Sequence, residues 1–293
     1  MTRAGLLRAL VVLACAVGLR ASAADPVFSD CDDCPLMQVV PAGAFTMGYE
    51  PDEDNPETDA RPLHRVVIEY PFAVGVHEVT RGQFAAFVRD SGYDAGNQCN
   101  VYDTDWWYVK EGINWQTPGF DQGDDEPVVC VSWLDAKQFV AWLSDRTGRN
   151  YRLLSEAEWE YIARNRGTEG QLENIGHDTA NLGAPECCGP RKEGKDRWER
   201  TAPVGSFAAD ELGLHDVRGN VWEWLEDCYH QDYEGAPVDG TARTANCSNP
   251  GDRVVRGGSY GDAVFYLRAG YRLRAPAENG YFTLGFRVAR TLD

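Results

Sequence analysis

The residues with the clearest chemical potential lie in residues 213–227, a segment that combines carboxylates with glycines. If the backbone turns gently here, the side chains of Asp216 and Glu223 and the carbonyls of Gly219 and Val221 converge on one point. All four are hard oxygen donors, which suit Ca²⁺, an ion that takes about six to eight oxygens in flexible geometry. The segment predicts either a calcium site or two solvated carboxylates beside a core tryptophan pair.

The spacing of this segment favours an extended backbone over a helix. Its glycines fall where helical periodicity would want side chains, and Trp222 and Trp224 flank Glu223. In an extended segment the two tryptophans share one face and the carboxylate points to the other. If the face that carries the two tryptophans is buried, the Glu223 carboxylate must therefore point in the opposite direction.

Three helices and two strands are predicted to surround this segment. Residues 39–47 and 65–78 are rich in apolar and β-branched residues and read as strands, joined by an acidic, proline-bearing loop at residues 50–57. The helices begin at capping boxes, which pair Thr80 with Gln83, Ser132 with Asp135 and Ser155 with Glu158. Glycines predict that the first helix stops near Gly92 and the second before Gly148.

Two long stretches, residues 93–129 and 165–202, lack a regular pattern. Stretches of that length inside one domain usually carry function or are held by something they bind. In this sequence, metal ions and disulfides are the features that could hold these stretches in place. The second stretch offers another set of oxygen donors, the side chains of Asn181 and Asp196 with the carbonyls of Leu182 and Trp198.

The N-terminus has the layout of a secretory signal over residues 1–24, which leaves one domain at residues 25–293. Basic residues precede an apolar run at residues 9–19, and Ala21-Ser22-Ala23 suits cleavage. The run is too short to span a bilayer, so we expect an exported, periplasmic or secreted product with no membrane span. Cys15 leaves processing as a lipoprotein open, although Leu13 fits that processing poorly.

Eight of the nine cysteines lie beyond this leader, and disulfides are tolerated in exported proteins. Spacing alone cannot fix their pairing. It offers three candidate pairs, Cys31 with Cys34, Cys99 with Cys130, and Cys228 with Cys247. A bond between the neighbours Cys187 and Cys188 would be strained, and therefore labile or absent.

The formal net charge of −18 argues against nucleic acid as a partner, because affinity for phosphates comes from clustered lysine and arginine. An acidic exported protein suits cation binding and plain solubility equally well.

The C-terminal part reads as short strands separated by turns. Gly257-Gly258 allows close backbone approach or positive φ. Four arginines recur among apolar neighbours there, at Arg256, Arg268, Arg272 and Arg287. Buried arginines need carboxylates, so internal ion pairing is the first expectation and ligand clamping the alternative.

Taken together, these motifs resemble those of the formylglycine-generating enzyme, or sulfatase-modifying factor, family over residues 36–291. They occur in the family's order: PAGAFTMG at 41–48, EVT at 78–80, PVVCVSW at 127–133, RLLSEAEWE at 152–160, TAPVG at 201–205, GNVWEW at 219–224, RGGS at 256–259 and GFR at 285–287. The resemblance implies a single α+β domain with much irregular structure, related to the C-type lectin fold, and two bound calcium ions.

The resemblance also implies which residues would hold those ions. One site would use Asn181, Leu182, Asp196 and Trp198, and the other Asp216, Gly219, Val221 and Glu223, with Asp216 in place of an asparagine that is common there.

The family's oxidative chemistry does not carry over. Members that convert a sulfatase cysteine to formylglycine hold copper through two cysteines shortly after the RGGS element, because Cu(I) prefers soft thiolates. The matching residues here are Asp262 and Leu267. We therefore expect no copper site of that type.

Two functions remain open at the groove near residues 259–283. The first is a binding or accessory protein for a peptide, protein or small molecule, using an adaptable aromatic patch of which half is expected to be core: Tyr260, Phe265, Tyr266, Tyr271, Tyr281 and Phe282. The second is an oxidase of the formylglycine-generating or siderophore-maturation type with altered chemistry, using Asp262 with Ser259 or Tyr260. As a general base, Asp262 would need a raised pKa and a partner.

Overall fold

The computed structural model describes residues 27–50, 59–103, 106–165, 175–184 and 189–292. The described chain is α+β, with three α-helices: α1 at Arg81–Ser91, α2 at Trp133–Thr147 and α3 at Glu156–Ala163. All three predicted capping boxes form, and α1 and α2 end at left-handed Gly92 and Gly148. Local sequence therefore determines where each helix begins.

The strands form two larger sheets and two separate hairpins. A five-stranded sheet has the order β1-β2-β5-β13-β8. Its strands are Val27–Phe28, Met37–Val40, Phe72–Gly75, Val288–Thr291 and Tyr151–Leu153, in that order. A four-stranded sheet has the order β11-β10-β9-β12, formed by Leu273–Pro276, Asp252–Arg256, Trp222–Cys228 and Leu284–Gly285. Strand β12 runs parallel to β9, and β10 runs antiparallel to it.

The hairpins differ from the sequence expectation. Each of the two predicted strands is divided into two in the structure. β3 (Gly43–Met47) pairs with β4 (His64–Ile68) in a hairpin. The neighbouring strands β2 and β5 join the large sheet instead. A second hairpin, β6 (Gln98–Asp103) with β7 (Trp106–Glu111), lies in the stretch that we expected to be irregular. Every residue of β7 is exposed, and its sequence WWYVKE does not alternate between apolar and polar residues.

The core lies between the helices and the two larger sheets, where Phe84, Phe139 and Phe286 pack together. Three disulfides hold its edges, and they are the three pairs suggested by spacing: Cys31–Cys34, Cys99–Cys130 and Cys228–Cys247. The signal segment, the acidic loop at residues 51–58 and the pair Cys187-Cys188 lie outside the described residues. Within the described chain, no helix has the length and apolarity needed to cross a membrane.

Candidate functional site

Glu223 is fully buried at the start of β9, so its interpretation as a solvated carboxylate is wrong. It accepts a 2.8 Å hydrogen bond from Trp159 Nε1 and a 2.7 Å charged hydrogen bond from Arg287 Nε. Arg287 is itself buried and donates further to the carbonyls of Gly75 and His215. The extended backbone predicted around the two tryptophans is confirmed, and both of its faces are covered.

Two further carboxylates lie near this ion pair. Asp216 is half-buried in a left-handed turn at φ 55°, and its Oδ2 accepts from Gly205 N at 2.7 Å. Glu78 is 1% exposed, and neither of its carboxylate oxygens has a hydrogen-bond partner among the described residues. Sequence reasoning treated Glu78 only as the end of a predicted strand and the first residue of the EVT motif. An acidic residue before a cap carries no signal that it points into the core.

The pKa values of these three carboxyls are all raised. Burial is the main cause in each case, and for Glu78 the charges of Asp216 and Glu223 raise the pKa further while Arg287 opposes them. Three carboxylates thus face a single guanidinium. Ionising all of them leaves excess negative charge in a buried site, which is costly unless a cation compensates it.

The other predicted set of oxygen donors is also buried. Asn181 is 1% exposed, and its Oδ1 has no partner among the described residues, while its Nδ2 donates to the carbonyl of Arg200 at 2.8 Å. Asp196 is equally buried and accepts from the backbone N–H of Leu182 and of Trp198. Its Oδ2 lies 3.1 Å from His177 Nδ1, and burial raises its pKa.

The two sets share one stretch of backbone. The N–H of Asn220 donates to the carbonyl of Asn181 at 2.9 Å, and the Asn181 side chain donates to Asn220 Oδ1. Gly219, at φ 87°, is packed so closely that an added Cβ would lie 2.5 Å from the Asn181 carbonyl oxygen. A glycine is therefore required where the two sets meet.

Among the described residues, no group of three or more His, Cys, Asp or Glu side chains is arranged to hold a metal ion by itself. A cation bound at either set would therefore also need amide and carbonyl oxygens. Donors of that kind suit calcium, whose protein sites mix carboxylates with carbonyls.

The three groove candidates have different surroundings. Ser259 and Tyr260 are buried, and the Tyr260 hydroxyl donates to the carbonyl of Phe282 at 3.0 Å. Asp262 is half-buried and accepts at Oδ2 from Trp222 Nε1 and Ser259 N, each at 2.9 Å, and from the Ser259 hydroxyl. Burial raises the pKa of Asp262, although these hydrogen bonds oppose the shift. Of the three candidates, Asp262 alone is more than marginally exposed.

Leu267 fills the position of the second family cysteine. It is fully buried, it packs with Ala180 and Leu182, and its Cδ1 lies only 2.5 Å from where a Cβ on Gly258 would be. The two glycines of the RGGS element both have positive φ, as the sequence allowed. The six cysteines in the described residues are all in disulfides, so none of them offers a thiolate.

A cavity of about 310 Å³ has Trp222 in its wall, the residue whose Nε1 donates to Asp262 Oδ2. Its lining combines strands β9 to β12 with one residue of the β6–β7 hairpin: Trp107, Trp222, Val255, Leu273, Arg274, Ala275, Tyr281, Thr283 and Leu284. The C-terminal end of the predicted groove overlaps this cavity. Trp107 was missed, because the hairpin that positions it was not predicted.

The predicted aromatic patch divides as expected. Tyr260, Tyr271 and Phe282 are buried, while Phe265, Tyr266 and Tyr281 are half-buried.

The four arginines singled out in the sequence are all bonded internally. Arg256 and Arg272 pair with Glu156, Arg287 pairs with Glu223, and Arg268 donates to the Tyr49 hydroxyl. Internal ion pairing was the first expectation, and the structure confirms it for Arg256, Arg272 and Arg287.

Comparison with known proteins assigns this chain to a family. Residues 23–292 match the sequence profile described as a sulfatase-modifying factor enzyme 1-like domain. Formylglycine-generating enzyme from Streptomyces coelicolor is 30% identical, covering 87% of this chain and 88% of its own. Inactive C-alpha-formylglycine-generating enzyme 2 from Mus musculus is 30% identical over 87% and 85%. The structure of PvdO from Pseudomonas aeruginosa is 37% identical, with a TM-score of 0.76, and covers 93% of this chain and all of that one.

Proposed function

The chain belongs to the sulfatase-modifying factor family, and from that premise we propose that it is an exported calcium-binding protein that holds a ligand in its groove without copper chemistry. The observation that carries the proposal is the pair of residues at the family's thiolate positions. Asp262 is a hydrogen-bonded hard oxygen ligand, and Leu267 is a packed hydrocarbon side chain. Cu(I) prefers soft thiolates, so this pair does not suit it.

The calcium part of the proposal is supported by buried oxygens without partners. Glu78, Asp216 and Glu223 outnumber the one guanidinium that faces them, and a divalent cation would neutralise the excess charge. The carbonyls of Gly219 and Val221 would complete that site. The other site would be built around Asn181 and Asp196, with Oδ1 of Asn181 directed to the ion instead of a protein donor.

Export is supported by the three disulfides, since such bonds persist in oxidising compartments. The N-terminal leader layout predicts the same compartment. The ligand-binding part is supported by the aromatic cavity that has Trp222 in its wall, because pockets of roughly 300 Å³ or more with apolar walls and a few polar groups suit small ligands.

The direct test is incubation of the purified protein with a sulfatase-motif peptide and copper. We expect no mass loss from conversion of the peptide cysteine to an aldehyde. The Streptomyces coelicolor formylglycine-generating enzyme serves as the positive control. Turnover by this protein at a comparable rate would contradict the proposal.

A second candidate function is catalysis in the same groove with Asp262 as general base. Burial supplies the raised pKa that this role requires, and Ser259 and Trp222 supply the partners that the sequence did not show. In that case a ligand proton would pass to Asp262 Oδ1 or Oδ2. Asp262→Asn would abolish the reaction while leaving ligand binding in place.

A further inference from the structure

Arg200 differs from the other buried and half-buried arginines of the described residues in the partners of its guanidinium. Its guanidinium lies over three aromatic rings, at 6.0 Å from the centroid of Phe120, 5.8 Å from Tyr260 and 5.6 Å from Phe282. Within the part of the chain that the structure describes, this guanidinium donates no hydrogen bond and forms no ion pair. By contrast, Arg287 has a carboxylate partner and two carbonyl partners.

The guanidinium of Arg200 is available to a ligand. The chain has 46 acidic residues against 28 basic ones, so carboxylates are abundant, yet no carboxylate of the described residues meets Arg200. The aromatic rings attract the positive charge but accept none of its five N–H donors. None of its nitrogens is among the buried side-chain atoms that lack a partner, so these donors are open to solvent and can be reached by a ligand.

The guanidinium and the groove cavity share an aromatic wall. Phe282 contacts Arg200 on one side and packs edge-on against Trp107, with centroids 5.6 Å apart. Trp107 also packs edge-on against Tyr281, and both residues line the 310 Å³ cavity. Two ring contacts, from Arg200 to Phe282 and from Phe282 to Trp107, therefore connect the guanidinium to the cavity wall.

We propose that Arg200 binds the carboxylate of an aromatic monoanion whose ring occupies the cavity lined by Trp107, Trp222 and Tyr281. This inference rests on the proposed ligand-binding function and names its ligand class. A planar guanidinium matches a carboxylate with two parallel hydrogen bonds. One positive charge balances one carboxylate, whereas a phosphate dianion would leave excess negative charge in a protein of net charge −18.

The test compares three probes of similar size, 3-phenylpropionate, 3-phenylpropionamide and phenyl phosphate, each titrated into the full exported protein by calorimetry. We expect the wild-type protein to bind the carboxylate roughly tenfold more tightly than the neutral amide, as one charge-assisted contact allows. Phenyl phosphate should bind more weakly than the carboxylate.

Arg200→Gln and Arg197→Gln form a matched pair of variants. Arg197 is exposed and lies three residues earlier, so its loss should leave all three affinities within about twofold. Arg200→Gln should remove the preference for the acid over the amide, while leaving binding of the amide unchanged. Thermal melts of both variants check that each is folded, and the acid-to-amide ratio of the wild-type protein tests the proposal without any substitution.

Equal affinity of the wild-type protein for acid and amide would overturn the inference, as would failure of both to bind or tighter binding of phenyl phosphate. Equal behaviour of the two glutamine variants would also overturn it. None of these results bears on copper chemistry. Conversion of the sulfatase-motif peptide would overturn the proposed function and leave the role of Arg200 open to the same titration.

Discussion

Two buried clusters of charge in this molecule are built in opposite ways. Around α3, Glu156 accepts from Arg256 at 2.9 Å and from Arg272 at 2.8 Å, and Glu160 accepts from Arg256 and Arg164. At the start of β9, Glu78, Asp216 and Glu223 face one guanidinium among the described residues, that of Arg287, and His215 lies near Asp216. We refer to these as the arginine-rich cluster and the carboxylate-rich cluster.

The pKa of Glu156 and the pKa values of the carboxyl groups in the carboxylate-rich cluster are shifted in opposite directions. Burial alone would raise the pKa of Glu156, but Arg272 and Arg256 outweigh burial and lower it. In the carboxylate-rich cluster burial dominates, and one guanidinium cannot prevent the pKa of Glu78, Asp216 and Glu223 from rising. The first cluster is complete within the protein. In the second, the carboxylates outnumber the guanidinium groups among the described residues, which is the basis of the calcium proposal.

The largest effect is expected from Arg256→Met in the arginine-rich cluster. Removing one partner of a buried ion pair leaves uncompensated carboxylates, so this change should cost about 3–5 kcal/mol of stability. Denaturant unfolding in calcium and in EDTA should give the same loss. Arg274→Met is the control, because Arg274 is 51% exposed and its ion pair with Asp252 contributes about 1 kcal/mol or less.

Removing calcium should have the next largest effect, and it acts on the carboxylate-rich cluster. An ion that binds only the native state stabilises it by about 2.7 kcal/mol when its free concentration is roughly a hundred times the Kd. Excess EDTA should therefore lower the melting temperature. An unchanged melting temperature after complete chelation would remove the calcium proposal.

Glu78→Gln should separate the two clusters by the sign of its effect. In EDTA this neutral substitution relieves the repulsion in the carboxylate-rich cluster, so the variant should be more stable than the wild type by about 1 kcal/mol. In calcium it should be less stable. Glu156→Gln should destabilise under both conditions, and a loss of stability for Glu78→Gln in EDTA would contradict the comparison.

A smaller effect is expected from pH. A carboxyl whose folded pKa is raised is stabilising below its unfolded pKa, and that stability is lost as the pH rises through the folded value. Calcium replaces those protons, so the stability that calcium adds should shrink as the pH falls from about 8 to about 5. Asp227, with a pKa raised by burial to about 7, and His77, with a pKa lowered by burial to about 4, titrate in the same range. Taking the difference between calcium and EDTA at each pH largely cancels their effects.

The smallest effect is expected for Glu53→Ala, in the acidic loop that lies outside the described residues. The sequence predicts an exposed loop there, so the change should stay within about 0.5 kcal/mol. Glu223→Ala should cost far more, since it leaves Arg287 buried without its carboxylate. Equal melting temperatures for Glu53→Ala and Glu223→Ala would contradict the placement of Glu223 in a buried ion pair with Arg287.

Features set by neighbouring residues could be predicted from the sequence. The capping boxes at Thr80, Ser132 and Ser155 depend on residues three positions apart, and each forms as expected. The three candidate disulfide pairs that spacing suggested also form, although spacing alone could not fix them. Family motifs gave the fold class, while the set of calcium donors that they imply stays a prediction.

Features assembled from distant segments could not be predicted. Glu78 joins Asp216 and Glu223 only because the segment before α1 packs beside β9, and its own neighbours in sequence say nothing of this. The rings around Arg200 come from three separate loops. The buried alternation in β6 is short, with Cys99 and Val101, and the first four residues of β7 are aromatic or apolar yet all exposed, so hydrophobic periodicity did not reveal the hairpin.

The packing of Leu267 bears on how this lineage can evolve. Restoring a thiol at that position would replace a side chain that fills the space against Gly258 and Ala180, leaving a void in the interior. Restoring the other thiol at Asp262 would strip Trp222 and Ser259 of their shared acceptor. Each single substitution by cysteine is therefore unfavourable before a thiol pair can form, so a copper-binding pair could be introduced here only through a destabilised intermediate.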